Sequence, residues 1–279
     1  MTELGAIGLG TTLASRYELV AEVARGAMGD VFEAFDRVEE TKVAVKVLRA
    51  EYLTDESVRR RFRREGAILK ALDHPAIVRL LELGVDHQGV VFLVTEYVEG
   101  ETLAERLSKG PLRIGDVDAL VDAVCDGLEA AHRHGVLHGD LKPANVVWPE
   151  EGGPRLVDFG ASKILGLDRL TATGEVSGTP AYMAPEVLTG KADVDQRIDV
   201  YGLGVVLYEA LSAQKPFHDG HIGRLLMKID AGDCLPISAV ADVSDAIARV
   251  VERAMDRHKD ARYSDMADLK TAWQQARNG

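Results

Sequence analysis

Near residue 100 the hydrophobic pattern of this chain changes its period, and that change restricts the fold more than any other feature of its 279 residues. Before it, apolar and polar residues tend to alternate, as they do in strands with one buried face. Lys42–Leu48 (KVAVKVL) is the cleanest example. Tyr17–Val23, Val31–Phe35, Val78–Val85 and Val90–Tyr97 are further strand candidates, the last two separated by the turn DHQG. Only Thr54–Leu72 is helical there, a charged stretch with Val58, Phe62, Ile68, Leu69 and Leu72 apolar. Beyond the change the spacing is helical: Asp116–His134 carries Val117, Leu120, Val121, Val124, Leu128 and Ala131, and helical patterns recur at 199–213, 221–231, 243–256 and 264–276. The expectation is an α+β chain, one domain of two lobes or two small domains, with the joint around Val98–Thr102. Residues 1–15, rich in Gly and Thr without periodicity, read as a flexible lead-in.

Composition removes several function classes. With 46% hydrophobic and 28% charged residues, the chain is an ordinary globular one rather than a disordered, collagenous or membrane protein. Aromatics at 5% argue against a binder built on stacking. Asp and Glu number 45 against 33 Lys and Arg, a net charge of −12, opposite to the balance of a nucleic-acid binder. The most basic run, Arg59-Arg60-Arg61 with Arg63-Arg64, reads as a solvated helix face. Cys125 and Cys234 supply neither a disulfide framework nor a zinc set, which fits a reducing compartment. MTELGAIGLG lacks the basic start of a signal peptide, and Val200–Ala213, interrupted by Glu209, falls short of the ~20 residues of a membrane span. The expected location is cytoplasmic, with no membrane span in this chain.

Four clusters carry chemistry. Ala24-Arg25-Gly26-Ala27-Met28-Gly29-Asp30-Val31 lies between two strand candidates; glycines let a backbone approach phosphates, although alone the stretch is also an ordinary hairpin turn. Lys46 ends the apolar run VAVK, and Glu65 follows on the charged helix, able to pair with it or with Arg61 on a solvated face. His138-Gly139-Asp140-Leu141-Lys142-Pro143-Ala144-Asn145 gathers a carboxylate, an ammonium and an amide within six residues. That set suits phosphoryl transfer: the acid orients a hydroxyl, the cation neutralises phosphate, the amide oxygen binds Mg²⁺. His132, His134 and His138 lack a further nearby ligand for a metal cluster. Leu156-Val157-Asp158-Phe159-Gly160 places an acid directly after an apolar strand, where it can grip a metal or cap a turn.

Taken in order, these stretches resemble the eukaryotic-like serine/threonine protein kinases of bacteria, over about residues 15–276. The resemblance includes the glycine loop, VAVK, the helix Glu65, HGDLKPAN, DFG, Gly178-Thr179-Pro180-Ala181-Tyr182-Met183-Ala184-Pro185-Glu186, Asp199 in DVYGLGVVLYEAL and Arg262 in DRHKDARYSD. It implies a bilobal protein-kinase fold over 16–276: a small N-lobe of about 16–97 with one main helix, a hinge of about 96–102, and a C-lobe of about 103–276. It implies ATP and Mg²⁺ (or Mn²⁺) as cofactors. Val23, Ala24, Arg25, Gly26, Ala27, Met28, Gly29, Asp30 and Val31 would cover ATP. Lys46, positioned by Glu65, would hold the α- and β-phosphates. Asp140 would be the base, Lys142 would steady the γ-phosphate, and Asn145 and Asp158 would bind the metal. Glu96-Tyr97-Val98 would meet adenine through backbone, with Thr95 as gatekeeper and Val31, Ala44 and Val147 on the adenine faces. Leu69, Leu80, His138 and Phe159 resemble the apolar spine anchored by Asp199, and Glu186 would pair with Arg262.

Two positions depart from the family. Ala24 replaces the first loop glycine, while Gly26 and Gly29 remain. Gly139 stands where most kinases have the arginine that receives a phosphorylated activation loop, so this chain reads as a non-RD kinase. HGD also occurs in small-molecule phosphotransferases for aminoglycosides or choline, which lack the DLKPAN and GTPAYMAPE arrangements present here. A pseudokinase scaffold is the third reading, opposed by the complete catalytic set. DLKPAN points to Ser/Thr acceptors on proteins. Thr171 and Thr173 are the expected autophosphorylation sites, for which a transient homodimer would serve; Thr179 is expected to be structural.

Overall fold

The computed structural model describes residues 7–26, 29–53, 55–158, 180–190 and 194–279; at some positions within 51–71, Glu65 among them, the backbone alone is described. The chain divides into two compact units. The first runs to Asp73 and takes in Val78–Val98; the second comprises His74–Ile77 and the chain from Glu99 onward.

The first unit is a six-stranded antiparallel sheet with one long helix. Its strands are β1 (Thr12–Leu13), β2 (Tyr17–Arg25), β3 (Gly29–Asp36), β4 (Thr41–Leu48), β5 (Leu80–Val85) and β6 (Val91–Glu96), in spatial order β1-β2-β3-β4-β6-β5. The period-2 pattern of β4 decides which side is core. Val43, Val45 and Val47 are buried with Leu19, Phe32, Phe92 and Val94, while Ala44 and Lys46 turn to the other face. Each fully buried side chain of this kind contributes about 1.5–3 kcal/mol. Register assigns the second face its residues, because directly opposed side chains share a side. Val31 lies opposite Lys46, Lys46 opposite Leu93, and Ala44 opposite Thr95. Helix α1 (Glu56–Ala71) packs on that same face. A Cβ at Gly66 would lie 2.6 Å from Leu93 Cδ2, so glycine is what lets the helix come this close. Glu65 is therefore carried on the helix turn nearest the Lys46 face.

The lead-in expectation is corrected here. Leu13 is 1% exposed, and Thr12 and Leu13 pair with Glu18 and Tyr17. A two-residue strand is too short to show a period, yet its one apolar side chain completes the core beside Tyr17.

The second unit is built on α5 (Arg197–Ser212), buried on nearly every side, as befits a helix that is apolar all round. Before it come β7 (Gly100–Thr102), α2 (Leu103–Leu107), α3 (Ile114–Arg133), β8 (Val146–Pro149), β9 (Arg155–Leu156) and α4 (Pro185–Leu188). After it come α6 (Ile222–Ala231), α7 (Asp245–Ala254) and α8 (Met266–Asn278). The short α2 escapes periodicity but is announced by a capping box: the Thr102 hydroxyl accepts from Glu105 N–H while Glu105 accepts from Thr102 N–H. Strands β7, β8 and β9 form a small antiparallel sheet. This sheet positions chemistry: residues 140–145 enter β8, and Asp158 lies two residues beyond β9. The α8 helix is fixed to α3 by a ladder of charges, with Lys270 on Asp122 and Asp126, and Arg277 on Asp118.

Candidate active site

In the first unit the glycine loop joins β2 to β3. Val23 is exposed, Ala24 pairs with Val31, and Arg25 binds Glu22 at 2.6 Å. Gly26 N–H donates to Gly29 O at 3.0 Å and closes the turn. A Cβ at Gly29 would meet Val47 O at 2.5 Å, so the second retained glycine answers to a backbone approach. Asp30 is held by Arg49 at 2.9 Å. Ala27 and Met28 lie outside the described residues, as does the Glu65 side chain. The sheet face thus brings together Val31, Ala44, Lys46 and Thr95 of the expected nucleotide set. At its end Glu96 is anchored to Arg79, donating through N–H to Arg79 O at 3.0 Å and accepting from Arg79 N–H at 2.6 Å. Val98, half-buried, closes the unit.

In the second unit Asp140 is 6% exposed, and its Oδ2 accepts from Lys142 Nζ at 2.9 Å and from Asn145 Nδ2 at 3.1 Å. Asn145 Nδ2 also donates to Asp140 O at 2.9 Å. The amide nitrogen is committed to Asp140, so the amide oxygen is the atom of Asn145 that could take a metal ion. Val157 N–H donates to Asn145 O at 3.0 Å, drawing the chain before Asp158 to Asn145. Asp158 holds φ +56°, a left-handed conformation uncommon outside glycine, and such backbone strain concentrates at functional sites. A carboxylate and an amide oxygen are hard ligands that fit Mg²⁺, which takes few ligands from protein. Val147 sits half-buried on β8, opposite Thr102.

Asp199, on α5, holds this loop from below. Its Oδ1 accepts from Gly139 N–H at 2.8 Å; its Oδ2 accepts from His138 N–H at 2.9 Å and from His132 Nε2 at 2.7 Å. Burial opposes the charge, yet the His132 hydrogen bond, the neighbouring histidines and the Gly139 N–H outweigh it and hold the Asp199 carboxyl below its ordinary range. Burial pushes the His138 imidazole below its ordinary value, although Asp199, Asp140 and Asp158 pull the other way. The three histidines are spent on structure: His132 on Asp199, His134 Nδ1 within 2.9 Å of Ala130 O, and His138 in the interior. No group of three metal-binding side chains gathers among the described residues.

Across the second unit, Arg262 binds Glu186 through two hydrogen bonds of 2.7 and 2.8 Å. This pair, the Asp140 cluster and the Asp199 anchor all stand in the second unit. The family profile described as protein kinase domain matches residues 17–274. The chain is a member of the protein kinase domain family. The family as a whole uses ATP with a divalent metal ion.

This kinase domain is 35% identical over 265 residues to the serine/threonine-protein kinase PknB of Mycolicibacterium smegmatis, covering 92% of this chain and 42% of that protein. It is 38% identical over 257 residues to the serine/threonine-protein kinase PknL of Mycobacterium bovis, covering 91% and 63%. Among solved structures, the Mycobacterium tuberculosis PknI kinase domain aligns with a TM-score of 0.76 at 28% identity, covering 98% of this chain and all of that one. The chain thus spans under half the length of the PknB relative.

Sequence reasoning set His132 aside with the metal candidates and missed its bond to Asp199, since a contact across 67 residues leaves no local spacing to read. Among the described residues no helix is long and apolar enough to cross a membrane. Phe159, the DFG glycine, Thr171, Thr173 and Thr179 lie outside the described residues.

Proposed function

We propose that this chain is an ATP-dependent serine/threonine protein kinase whose catalytic domain runs over about 16–276. The observation that carries the reading is the Asp140 carboxylate, buried and held between Lys142 and Asn145. Asp140 orients the acceptor hydroxyl and takes its proton as the oxygen attacks the γ-phosphorus; the bond to the β,γ-bridging oxygen breaks and ADP leaves. Lys142 offsets charge on the transferred group. Asn145 and Asp158 would hold Mg²⁺ (or Mn²⁺), which would supply neutralisation of phosphate charge. Lys46, oriented by Glu65, holds the α- and β-phosphates. The glycine loop covers the nucleotide, Val31 and Ala44 pack on adenine, and the backbone of Glu96 and Val98 meets its edge beside Thr95.

Gly139 makes this a non-RD kinase. Autophosphorylation at Thr171 or Thr173, in a transient homodimer, is expected with modest activation, because the usual receiving arginine is missing and a phosphate orders a loop only where cations meet it. The demand for ATP and the low count of two cysteines favour a cytoplasmic setting, and the net charge of −12 disfavours a nucleic-acid partner. The deciding experiment offers radiolabelled ATP with a generic protein acceptor, kanamycin or choline. Label on protein Ser/Thr supports the reading; label on the small molecules alone makes the chain a small-molecule phosphotransferase; ATP binding without transfer makes it a pseudokinase scaffold.

A further inference from the structure

We propose that the second unit carries a ligand site apart from the Asp140 cluster: a cavity between the C-terminal ends of α6 and α7 that takes a small apolar zwitterion, of which a free apolar amino acid such as L-leucine is the simplest.

The cavity has a volume of about 420 Å³, within the range of about 300–1,000 Å³ usual for small-molecule sites. Its apolar wall is Phe217, Leu235, Pro236 and Met255. Phe217 and Met255 are buried while Leu235 is 61% exposed, so the wall runs from the interior to the mouth. The segment that carries it is held in place. Tyr208 donates its hydroxyl to Leu235 O at 3.0 Å, Asp233 N–H donates to Lys228 O at 2.8 Å, and Cys234 N–H donates to Gly232 O at 3.1 Å. Gly232, at φ +67°, puts no side chain on the lining; a Cβ there would stand 4.0 Å from Arg257 Cβ.

Four charged or titratable side chains besides Cys234 and Tyr208 line the cavity: Glu252, Asp256, Arg257 and His258. Asp256 is spent, its Oδ1 accepting from His258 N–H at 2.8 Å. His258 Nε2 is spent on Arg257 Nε at 2.9 Å. The other two bring opposite charges that no partner answers. Among the described residues the Glu252 carboxylate makes no ion pair or hydrogen bond, and Arg257 has no carboxylate partner. Burial pushes the Cys234 thiol up, and the nearby carboxylates of Glu252 and Asp233 add to the effect, which agrees with Glu252 facing this lining. An anion and a cation left apart beside an apolar wall match a molecule that carries the reverse pair on an apolar body. Its ammonium meets Glu252, its carboxylate takes the two Nη groups of Arg257 as a planar pair, and its side chain covers the wall. A ligand with one charge satisfies one group and leaves the other unanswered.

Cys234 lines the cavity and is partly exposed, whereas Cys125 is 1% exposed. Modification of Cys234 by iodoacetamide, followed by mass spectrometry on the full chain, therefore reports occupancy, with Cys125 as the silent control. L-leucine at millimolar concentration slows the modification. N-acetyl-L-leucine lacks the ammonium, L-leucinamide lacks the carboxylate, and free glycine lacks the apolar body. Each binds about five- to tenfold more weakly, as for charged partners that solvent still reaches. Glu252→Gln erases the preference for L-leucine over the N-acetyl form and keeps that over the amide; Arg257→Met does the reverse. Protection by none of the four molecules overturns the proposal, and so does equal protection by all. Tighter binding of either capped form than of L-leucine overturns it as well. If each variant weakens all four alike, the two charges are structural and the proposal fails. Should one variant not fold, the other decides through its own preference.

Discussion

The Arg262 guanidinium meets the Glu186 carboxylate face to face, Nη1 to Oε1 at 2.7 Å and Nη2 to Oε2 at 2.8 Å, between residues 76 apart in sequence. The Arg262 side chain has no exposure and that of Glu186 has 8%. All five guanidinium N–H groups are engaged, because Arg197 O, Asp256 O and Arg257 O take the remaining three. Tyr201 stacks at 4.8 Å. Removing one partner leaves a buried charge uncompensated, at a cost of about 3–5 kcal/mol. Arg262→Met and Glu186→Gln should each lower the unfolding free energy in urea, and the double variant should lose less than their sum. Strict additivity would show that the two groups do not support each other.

The Asp140 carboxylate is buried and receives an ammonium and an amide on one oxygen. Asp140→Asn keeps the shape and removes the base. Loss of a general base lowers turnover by roughly 10²–10⁴-fold. Nucleotide affinity, measured by calorimetry, should stay close to that of the parent. Near-normal turnover in the variant would place the base elsewhere.

Asp158 and Asn145 offer hard oxygens on neighbouring stretches tied by the Val157 N–H to Asn145 O bond. Because Mg²⁺ draws few ligands from protein, losing one carboxylate matters. Asp158→Ala should abolish the Mg²⁺-dependent part of ATP binding. An unchanged response to Mg²⁺ titration moves the metal to other residues.

What could be read from the sequence divides along physical lines. The β4 strand was legible because Val43, Val45 and Val47 repeat with period two, and α3 because its buried residues recur at helical spacing. Leu13 was not, since two paired residues make no period. The 138–145 cluster was legible because its members are neighbours in the chain. Its support was not: Asp199 is 60 residues from Gly139, and only the resemblance to a family pointed there. The left-handed backbone of Gly139 was hidden for a related reason. From the sequence the glycine reads as a missing arginine, and the carboxylate that its N–H meets is visible only in three dimensions.

Lys46 shares its sheet face with Val31 and Leu93, and Gly66 lets α1 approach that face at Leu93. A compact ammonium and a planar guanidinium are not interchangeable at a phosphate held by a point charge. Lys46→Arg should therefore lose most activity while ending with the same net charge, and Glu65→Gln should lose activity as well. Full activity in both variants would falsify the functional pairing of the two residues.

His138 gives the fold a pH dependence whose sign can be worked out. Burial holds its imidazole below the ordinary value of 6.5, despite the opposing pull of Asp199, Asp140 and Asp158. In the folded protein the ring stays neutral while the unfolded chain takes up a proton below about pH 6.5. The unfolded state then binds more protons, so stability rises with pH in that window. The contribution is complete above 6.5 and is lost as pH falls beneath it toward the folded value. Asp199 acts lower down: its carboxyl is depressed from 3.8, so its contribution is present above that value and disappears as pH falls through the folded one. The two windows separate the groups. Urea unfolding between pH 8 and 5 should show stability falling below 6.5 with a slope of up to about 1.4 kcal/mol per pH unit for one group. His138→Gln removes the titrating ring and should flatten that slope, leaving the acid loss below pH 4 in place. If parent and variant decline in parallel between pH 6.5 and 5, the protons are taken up by other residues and His138 does not govern the transition.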